Sequence, residues 1–284
     1  MSQPANLADH TIVASLSGGK DSVALCLWLR EQELPHRRIF MDTGWEAQDT
    51  YDHLDYLASE LGSVERLSSE GMVSLIQRKA MFPGRMARFC TQELKTKLMK
   101  AYMARLQDNH GDVINAIGVR RAESRARSKL SEWEWSDAVD CQVWRPLIAW
   151  TEEDVIAIHK RHDIRPNPLY LKGASRVGCW PCIFACKNEI RMVAELDPGR
   201  IDVIRELEQH VQERARARYA ERGETFESLG YKPPTYFSRD LGEGKAHIPI
   251  DDVVTWAKTS RGGRQFELFN REPPGCYRWG LCGV

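Results

Sequence analysis

A short segment at residues 15–22 carries the residue types that bind phosphate groups. It reads Ser-Leu-Ser-Gly-Gly-Lys-Asp-Ser, and it lies between an apolar, β-branched run at residues 11–14 and a helix-forming stretch at residues 21–30. Backbone N–H groups at a helix start attract anions, and glycine lets a ligand come close to the backbone. The segment has neither the spacing of a Walker A loop nor the third glycine of a dinucleotide-binding fingerprint. This segment, here called the glycine loop, therefore predicts a phosphate site of another kind.

The glycine loop offers neutral donors and one charge of each sign. The amides and hydroxyls expected to hold phosphate oxygens belong to Ser15, Ser17, Gly18, Gly19 and Ser22. Lys20 would offset the phosphate charge as a point cation. Two roles are equally open for Asp21, because its carboxylate would serve either as a Mg²⁺ ligand or as an N-terminal helix cap.

A second polar cluster follows the strand expected at residues 38–41. Asp42 and Thr43 end this strand, where they would meet a ribose or a metal ion. Ligands of open α/β sheets bind beyond the carboxyl ends of the strands, so we expect both residues to lie beside the glycine loop. Taken alone, Asp-Thr-Gly is also an ordinary turn sequence.

A third polar cluster follows the strand expected at residues 112–119. Gly118 lies near the end of this strand, and Arg120, Arg121 and Glu123 come directly after it. Guanidinium groups bind phosphate or sulfate through two parallel hydrogen bonds, and Glu123 would orient one of the two arginines. The alternative is a solvated basic patch that continues through residues 125–129.

The first half of the chain alternates β-branched runs with helical patterns, which predicts an α/β fold with a parallel sheet. Thr151 and Asp154 fit a helix capping box. We expect two domains, a nucleotide-binding domain at residues 8–187 and a helical, loop-rich C-terminal extension at residues 188–284. Helices are expected at residues 51–61, 72–79, 91–106 and 201–222.

The composition excludes some classes of protein. The chain has 284 residues, of which 42% are hydrophobic and 28% charged, as in ordinary globular proteins. The formal net charge is zero, so a nucleic-acid partner would need a local basic patch. The first ten residues are polar, and no apolar run approaches the length of about 18 residues that spans a membrane. We therefore expect a cytoplasmic protein without a membrane partner.

Three of the eight cysteines, Cys179, Cys182 and Cys186, fall within one short segment. In a reducing compartment, clustered thiolates bind metal rather than form disulfides, and the Cys-x-x-Cys-x-x-x-Cys spacing occurs in both zinc and iron–sulfur sites. Cys26 and Cys141 are expected to be buried as small hydrophobic residues. The candidates for a fourth ligand are Cys90, Cys276 and Cys282.

Several motifs in a fixed order carry a family resemblance. They lie at residues 17–22 (Ser-Gly-Gly-Lys-Asp-Ser), 42–44 (Asp-Thr-Gly), 88–91 (Arg-Phe-Cys-Thr), 94–95 (Leu-Lys), 118–124 (Gly-Val-Arg-Arg-Ala-Glu-Ser), 146–155, 167–170 (Asn-Pro-Leu-Tyr) and 178–182 (Gly-Cys-Trp-Pro-Cys). Together they resemble the phosphoadenylyl-sulfate (PAPS) reductase family of PP-loop ATP pyrophosphatases. The last motif looks most like the iron–sulfur relatives of DNA phosphorothioation, and the small subunit of ATP sulfurylase is a further relative.

The resemblance implies a Rossmann-like adenine nucleotide α-hydrolase fold with a five-stranded parallel sheet. It adds Lys95 to the expected nucleotide-binding residues. In the members that hold a 4Fe-4S cluster, the cysteines stand at the positions of Cys90, Cys179 and Cys182. Cys186 is then the expected fourth ligand by its proximity, and zinc is the alternative metal.

Two enzymatic activities follow from the resemblance. PAPS reductases have a degenerate glycine loop, because their substrate lacks the β–γ pyrophosphate. Here the loop is intact, which favours Mg²⁺-ATP cleaved between the α and β phosphates, adenylylation and sulfur transfer, with Lys20, Asp21 and Arg120 as catalytic residues. PAPS reductases also end in Glu-Cys-Gly-Leu-His, and the tail here, Arg-Trp-Gly-Leu-Cys-Gly, is similar in outline. The alternative is therefore a PAPS or adenylyl-sulfate reductase in which Cys282 attacks the sulfonate sulfur.

A third interpretation is a nucleic-acid or complex-assembly module with a structural cluster. Arg214, Arg216 and Arg218 support it, but Glu206 and Glu213 interleave with them, which is typical of a solvated helix face. For the enzymatic interpretations, the expected partners are an adenine nucleotide and a sulfur donor or reductant protein, with nucleic acid as a conceivable sulfur acceptor.

Overall fold

The chain divides into two compact units. The computed structural model describes residues 7–240, 245–260 and 279. The first unit comprises Met1–Ser69, Gln92–Gly178 and Pro273–Val284, and the second comprises Glu70–Thr91 and Cys179–Glu272. The expected boundary after residue 187 differs from this division, which groups the cysteine segment and residues 70–91 with the C-terminal half of the chain.

The described elements follow one another in a mixed α/β order. The strands are β1 (Thr11–Ser15), β2 (His36–Asp42), β3 (Val64–Ser68), β4 (Val113–Ile117), β5 (Trp133–Ser136), β6 (Cys141–Trp144), β7 (Phe237–Asp240) and β8 (Lys245–Ile248). The α-helices are α1 (Lys20–Glu31), α2 (Gln48–Leu61), α3 (Gly71–Lys79), α4 (Phe89–Thr91), α5 (Lys97–His110), α6 (Glu152–Arg161), α7 (Pro168–Leu171), α8 (Lys187–Leu196), α9 (Pro198–Ala220) and α10 (Ile250–Lys258).

The first unit is built on a six-stranded sheet in the order β3-β2-β1-β4-β6-β5. Five of these strands run parallel, which confirms the expected parallel sheet, and β5 pairs antiparallel with β6 at the edge. The β5–β6 pair was not predicted, since these two strands are only four residues each and show no clear strand pattern. Trp133 lies opposite Trp144 across the pair, and their rings stack at 5.0 Å between centroids.

Both faces of this sheet are covered, as a parallel sheet requires. In β1, Ile12 and Ala14 pack in the core that contains Leu25 of α1, whereas Val13 points to the opposite face and packs in the core that contains Met103 of α5. The alternation follows from the two-residue period of a strand. It holds β1 between two helical layers, and so fixes the position of the glycine loop at its carboxyl end.

The expected helices are present, with shifted ends. The helix expected at residues 91–106 is instead interrupted, because a π-helical turn (Gln92–Thr96) separates α4 from α5. The capping box of α6 is confirmed: the Thr151 hydroxyl accepts the Asp154 N–H at 3.2 Å, and the Asp154 carboxylate accepts the Thr151 N–H at 2.8 Å. No helix in the described part of the chain is long and apolar enough to cross a membrane.

The second unit is mainly helical. Its longest helix, α9, matches the charged helix expected at residues 201–222, whereas the tail expected to be loop-rich contains the β7–β8 hairpin and α10. The carboxylate of the buried Glu208 on α9 accepts the backbone N–H groups of Tyr236 at 2.9 Å and Ile250 at 3.1 Å. His210 on the same helix lies 3.3 Å from the carbonyl oxygen of Gln77, so α9 contacts both parts of this unit.

Candidate active site

The glycine loop occupies the turn between β1 and α1, as predicted. Gly18 has φ +72°, a conformation that L side chains rarely adopt, and a Cβ there would lie 3.2 Å from the Thr50 methyl group. Asn167 holds the same glycine from outside, because its amide donates to the Gly18 carbonyl and to the Thr50 hydroxyl, both at 3.3 Å. The shape of the turn is therefore fixed by contacts with α2 and with the residue that precedes α7.

Hydrogen bonds that involve Ser17 and Ser22 join the two ends of the glycine loop. The Ser17 N–H donates to the Ser22 hydroxyl at 3.1 Å, and that hydroxyl donates to the Gly19 carbonyl at 2.8 Å. Ser15 lies one step back in β1, where its hydroxyl is 3.5 Å from the side-chain oxygen of Asn115. The serines at 17 and 22 thus shape the loop, and its backbone amides remain next to the N-terminus of α1.

The backbone of Lys20 is held on both sides, at its N–H and at its carbonyl group. Its backbone N–H donates to the Tyr170 hydroxyl at 3.2 Å, and its carbonyl is 2.9 Å from Nε2 of His159. Its ammonium group lies 3.1 Å from a carboxylate oxygen of Glu152 and 4.9 Å from the centre of the Tyr170 ring. Trp279 packs edge-on against His159 at 5.1 Å between ring centroids, so this tryptophan supports one of the residues that position Lys20.

Asp21 forms a buried ion pair rather than a helix cap. Gly19 is the N-cap of α1, and the Asp21 carboxylate accepts from Nε of Arg120. Only 6% of the Arg120 side chain and 15% of the Asp21 side chain are exposed. Burial raises the pKa of Asp21, against the opposing hydrogen bond and charge of Arg120. The Mg²⁺ role expected as the other alternative for Asp21 stays a prediction.

The loop after β4 is held by hydrogen bonds to its backbone N–H groups. Glu123 accepts the backbone N–H of Arg120 at 2.7 Å and forms an ion pair with Arg127, so it acts on the backbone of Arg120 rather than on either expected guanidinium. The backbone N–H of Arg121 donates to the Ile148 carbonyl at 2.9 Å, while the Arg121 side chain is exposed. Arg120 is therefore the arginine that the fold directs to the glycine loop.

The end of β2 carries a buried carboxylate that the sequence analysis missed. Glu46 accepts the Thr43 hydroxyl proton at 2.8 Å, and the Tyr51 hydroxyl lies 2.8 Å from Asp42 and 3.1 Å from Glu46. Asp42 also accepts the backbone N–H of Gly44 at 2.8 Å. Burial and the hydrogen bond to Asp42 raise the pKa of Tyr51, so this phenol stays protonated and acts as a donor.

Lys95 is one of the expected nucleotide-binding residues that the structure does not connect to the loop. It lies in the π-helical turn of the first unit, and its side chain is half-buried. No hydrogen bond or ion pair joins that side chain to any residue described in the structure. Its role stays a prediction.

The cysteine segment belongs to the second unit. Cys90, Cys179 and Cys182 are half-buried and Cys186 is exposed, whereas Cys26 and Cys141 are buried in the first unit as expected. The backbone N–H of Cys186 donates to Glu189 at 2.9 Å at the start of α8. Burial raises the pKa of Cys26 to about 12 and that of Cys141 to about 11.

The thiols suit an iron–sulfur or zinc centre by their chemistry, because both kinds of centre are held by thiolates. Among residues 7–240, 245–260 and 279, no three His, Cys, Asp or Glu side chains are grouped so that they could hold one metal ion. Cys276 and Cys282 lie outside the described residues. The metal ligands expected from the sequence therefore stay a prediction.

Comparison with known proteins identifies the family of the chain. The model of the phosphoadenosine phosphosulfate reductase domain matches residues 11–185. The chain belongs to this family. It is 34% identical over 314 residues to an uncharacterized 37.8 kDa protein of Escherichia phage 186, with 92% of each chain covered. It is 27% identical over 191 residues to the adenosine 5′-phosphosulfate reductase of Allochromatium vinosum, covering 64% of this chain and 71% of that protein.

One solved structure with a similar fold is that of the PAPS reductase of Candida auris in a phosphate complex. The identity is 17% and the TM-score is 0.47, with 60% of this chain and 81% of that chain covered. An uncharacterized protein of Methanocaldococcus jannaschii is 30% identical over 192 residues, which is 67% of this chain and 46% of that protein.

This PAPS reductase family member surrounds its glycine loop with residues that sequence reasoning did not single out. They are distant in sequence, because the contact between His159 and Lys20 spans 139 positions and that between Tyr170 and Lys20 spans 150. Asn167 and Tyr170 lie in the Asn-Pro-Leu-Tyr motif, so that motif was the available clue. Glu152 lies in the motif at residues 146–155, whereas no motif in the sequence pointed to His159 as a partner of the loop.

Proposed function

We propose that this chain binds an adenine nucleotide at the glycine loop and cleaves ATP between the α and β phosphates. The observation that carries the proposal is the intact loop itself: Gly18 in the left-handed region, the amides at the N-terminus of α1, and Lys20 beside them. This arrangement provides donors and a cation for a pyrophosphate group, which a nucleotide ending in a sulfate does not have.

In the proposed reaction, a nucleophile forms a bond to the α phosphorus as the bond to the bridging oxygen breaks. Pyrophosphate leaves with the electron pair, and an adenylylated intermediate remains for sulfur transfer. Backbone N–H groups of the loop and Lys20 would stabilise the charge that grows on the pyrophosphate. Arg120 would act on the α phosphate, and Mg²⁺ would accompany ATP with Asp21 as one of its ligands.

A second candidate function is the reduction of an adenylyl sulfate. The similarity of the chain to the adenosine 5′-phosphosulfate reductase of Allochromatium vinosum supports it. In that reaction Cys282 would attack the sulfonate sulfur, releasing the nucleotide and leaving a thiosulfonate on the cysteine for a reductant protein to resolve.

We further propose that Cys90, Cys179, Cys182 and Cys186 hold a 4Fe-4S cluster, with zinc as the alternative. Such a cluster would supply electrons or bind sulfur, and no step above depends on it. A cytoplasmic location and a sulfur donor or reductant partner accompany this proposal, with nucleic acid as one class of sulfur acceptor.

Replacement of Lys20 tests the main proposal. Because a charge-assisted contact is lost, we expect Lys20→Ala to weaken ATP binding by roughly 10- to 100-fold and to abolish pyrophosphate release. The measurements are calorimetry with ATP and with adenylyl sulfate, and a pyrophosphate-release assay. Lys97→Ala is the matched control, since the Lys97 side chain is exposed at the start of α5, where it pairs with Glu93 of the preceding turn, and its loss should leave both readouts unchanged.

Two outcomes would contradict the proposal. Equal ATP affinity in the Lys20→Ala variant and in the unmodified chain would remove the loop from nucleotide binding. Binding of adenylyl sulfate without binding of ATP would favour the reductase candidate instead.

A further inference from the structure

The ammonium group of Lys20 already has a counter-ion. It lies 3.1 Å from Oε1 of Glu152, and only 11% of the Lys20 side chain and 27% of the Glu152 side chain are exposed. The pair is thus largely removed from water, where a salt bridge is stronger than on an open surface. Glu152 is the first residue of α6, and Thr151 caps that helix, so the carboxylate comes from a firmly placed element.

A phosphate group at the glycine loop needs the same ammonium group. The backbone of Lys20 is fixed, because its N–H donates to Tyr170 and its carbonyl lies 2.9 Å from Nε2 of His159, so its side chain starts from one defined point beside the loop. Glu152 and a ligand phosphate therefore compete for the charge of the same ammonium group. When that ligand leaves, Glu152 is in place to take Lys20 back.

We propose that Glu152 competes with ligand phosphates for Lys20 and so sets the affinity of the loop for pyrophosphate and helps this product leave. The inference rests on the proposed function, in which the loop binds the pyrophosphate part of ATP. Glu152 acts through Lys20, so it is a positioning residue and takes no part in bond making.

The test compares two glutamates of one helical turn. Glu152→Gln removes the competing charge, and Glu153→Gln removes the same charge from the exposed neighbouring position, so both variants change the field at the start of α6 alike. With inorganic pyrophosphate as the probe, we expect calorimetry to give a dissociation constant at least fivefold lower for Glu152→Gln. For Glu153→Gln we expect a change of less than twofold.

Turnover gives a second readout that a purely structural role would not produce. Glu152→Gln should lower both KM for ATP and kcat, with stronger product inhibition by pyrophosphate, because release becomes slower. Glu152→Asp keeps the carboxylate and should restore pyrophosphate affinity towards that of the unmodified chain. On a Lys20→Ala background, Glu152→Gln should have no effect on pyrophosphate binding.

The outcomes separate this inference from the proposed function. If the unmodified chain binds pyrophosphate, and Glu152→Gln binds it equally well or more weakly while keeping the melting temperature of Glu153→Gln, Glu152 does not compete and the inference is wrong. If the unmodified chain and Glu152→Gln both fail to bind pyrophosphate and ATP, the proposed function is wrong and the inference falls with it.

Discussion

Asp21 and Arg120 behave as one unit, and this limits what either residue can do alone. Both side chains are largely buried, and removal of one partner from a buried pair leaves an uncompensated charge that costs about 3–5 kcal/mol. A loss of activity on replacing either residue would therefore mix chemistry with stability. Lys20 and Glu152 form a less buried pair, which makes Lys20 the cleaner residue for testing function.

His53 is a second buried residue whose charge matters. It lies on α2, and Nε2 of its ring has no hydrogen-bond partner within the described part of the chain. Burial, together with the nearby His159 and Arg165, lowers the pKa of His53 to about 4. The folded protein therefore keeps this ring neutral at a pH where an unfolded chain would protonate it.

Stability should fall with acidification because of His53. Between pH 6.5 and about 4 the unfolded chain binds a proton at this residue and the folded chain does not, so the free energy of unfolding decreases as the pH falls through this window. The full shift corresponds to about 3 kcal/mol as an upper bound. Urea unfolding at a series of pH values should show a shallower decrease for His53→Gln than for the unmodified chain. A His53 ring signal that titrates near 6.5 in NMR would contradict this.

At the scale of elements, the approach of β4 to α1 decides where the third polar cluster lies. A Cβ on Gly118 would be 2.4 Å from the Asp21 carbonyl oxygen and 3.0 Å from Cα of Ser22. These are backbone atoms that no side-chain rotation can clear. Glycine at this position therefore lets the end of β4 touch the first turn of α1, and this contact brings Arg120 to Asp21.

Gly118→Ala should push these two elements apart. Overpacking against backbone costs about 1–3 kcal/mol, and we expect thermal unfolding to show a loss in that range together with weaker ATP binding. Gly178→Ala is the control, because a Cβ there meets nothing within 4 Å and the residue has no left-handed φ. Equal melting temperatures for the two variants would show that β4 and α1 do not need this close approach.

At the scale of the whole molecule, the sequence predicted what depends on chain order and periodicity. The sequence placed the glycine loop, Asp42 and Arg120 at the carboxyl ends of β1, β2 and β4, because each of them comes at the end of an apolar strand and the carboxyl ends of parallel strands share one edge. Glu152, His159 and Tyr170 were not found as partners of Lys20, since their contacts with it depend on how α6 and α7 pack. Glu46 was missed because nothing local distinguishes a buried carboxylate from an exposed one.

The assignment of the cysteines likewise comes from spacing and resemblance, and metal content tests it. Iron–sulfur clusters are held by thiolates, so serine at Cys90, Cys179, Cys182 or Cys186 should each lower the iron and sulfide content of anaerobically purified protein. Cys141→Ala is the control, because it removes a thiol from the core of the first unit and should leave iron unchanged. Stoichiometric zinc without iron would assign the zinc alternative, whereas equal iron in all five variants would remove these cysteines from the ligand set.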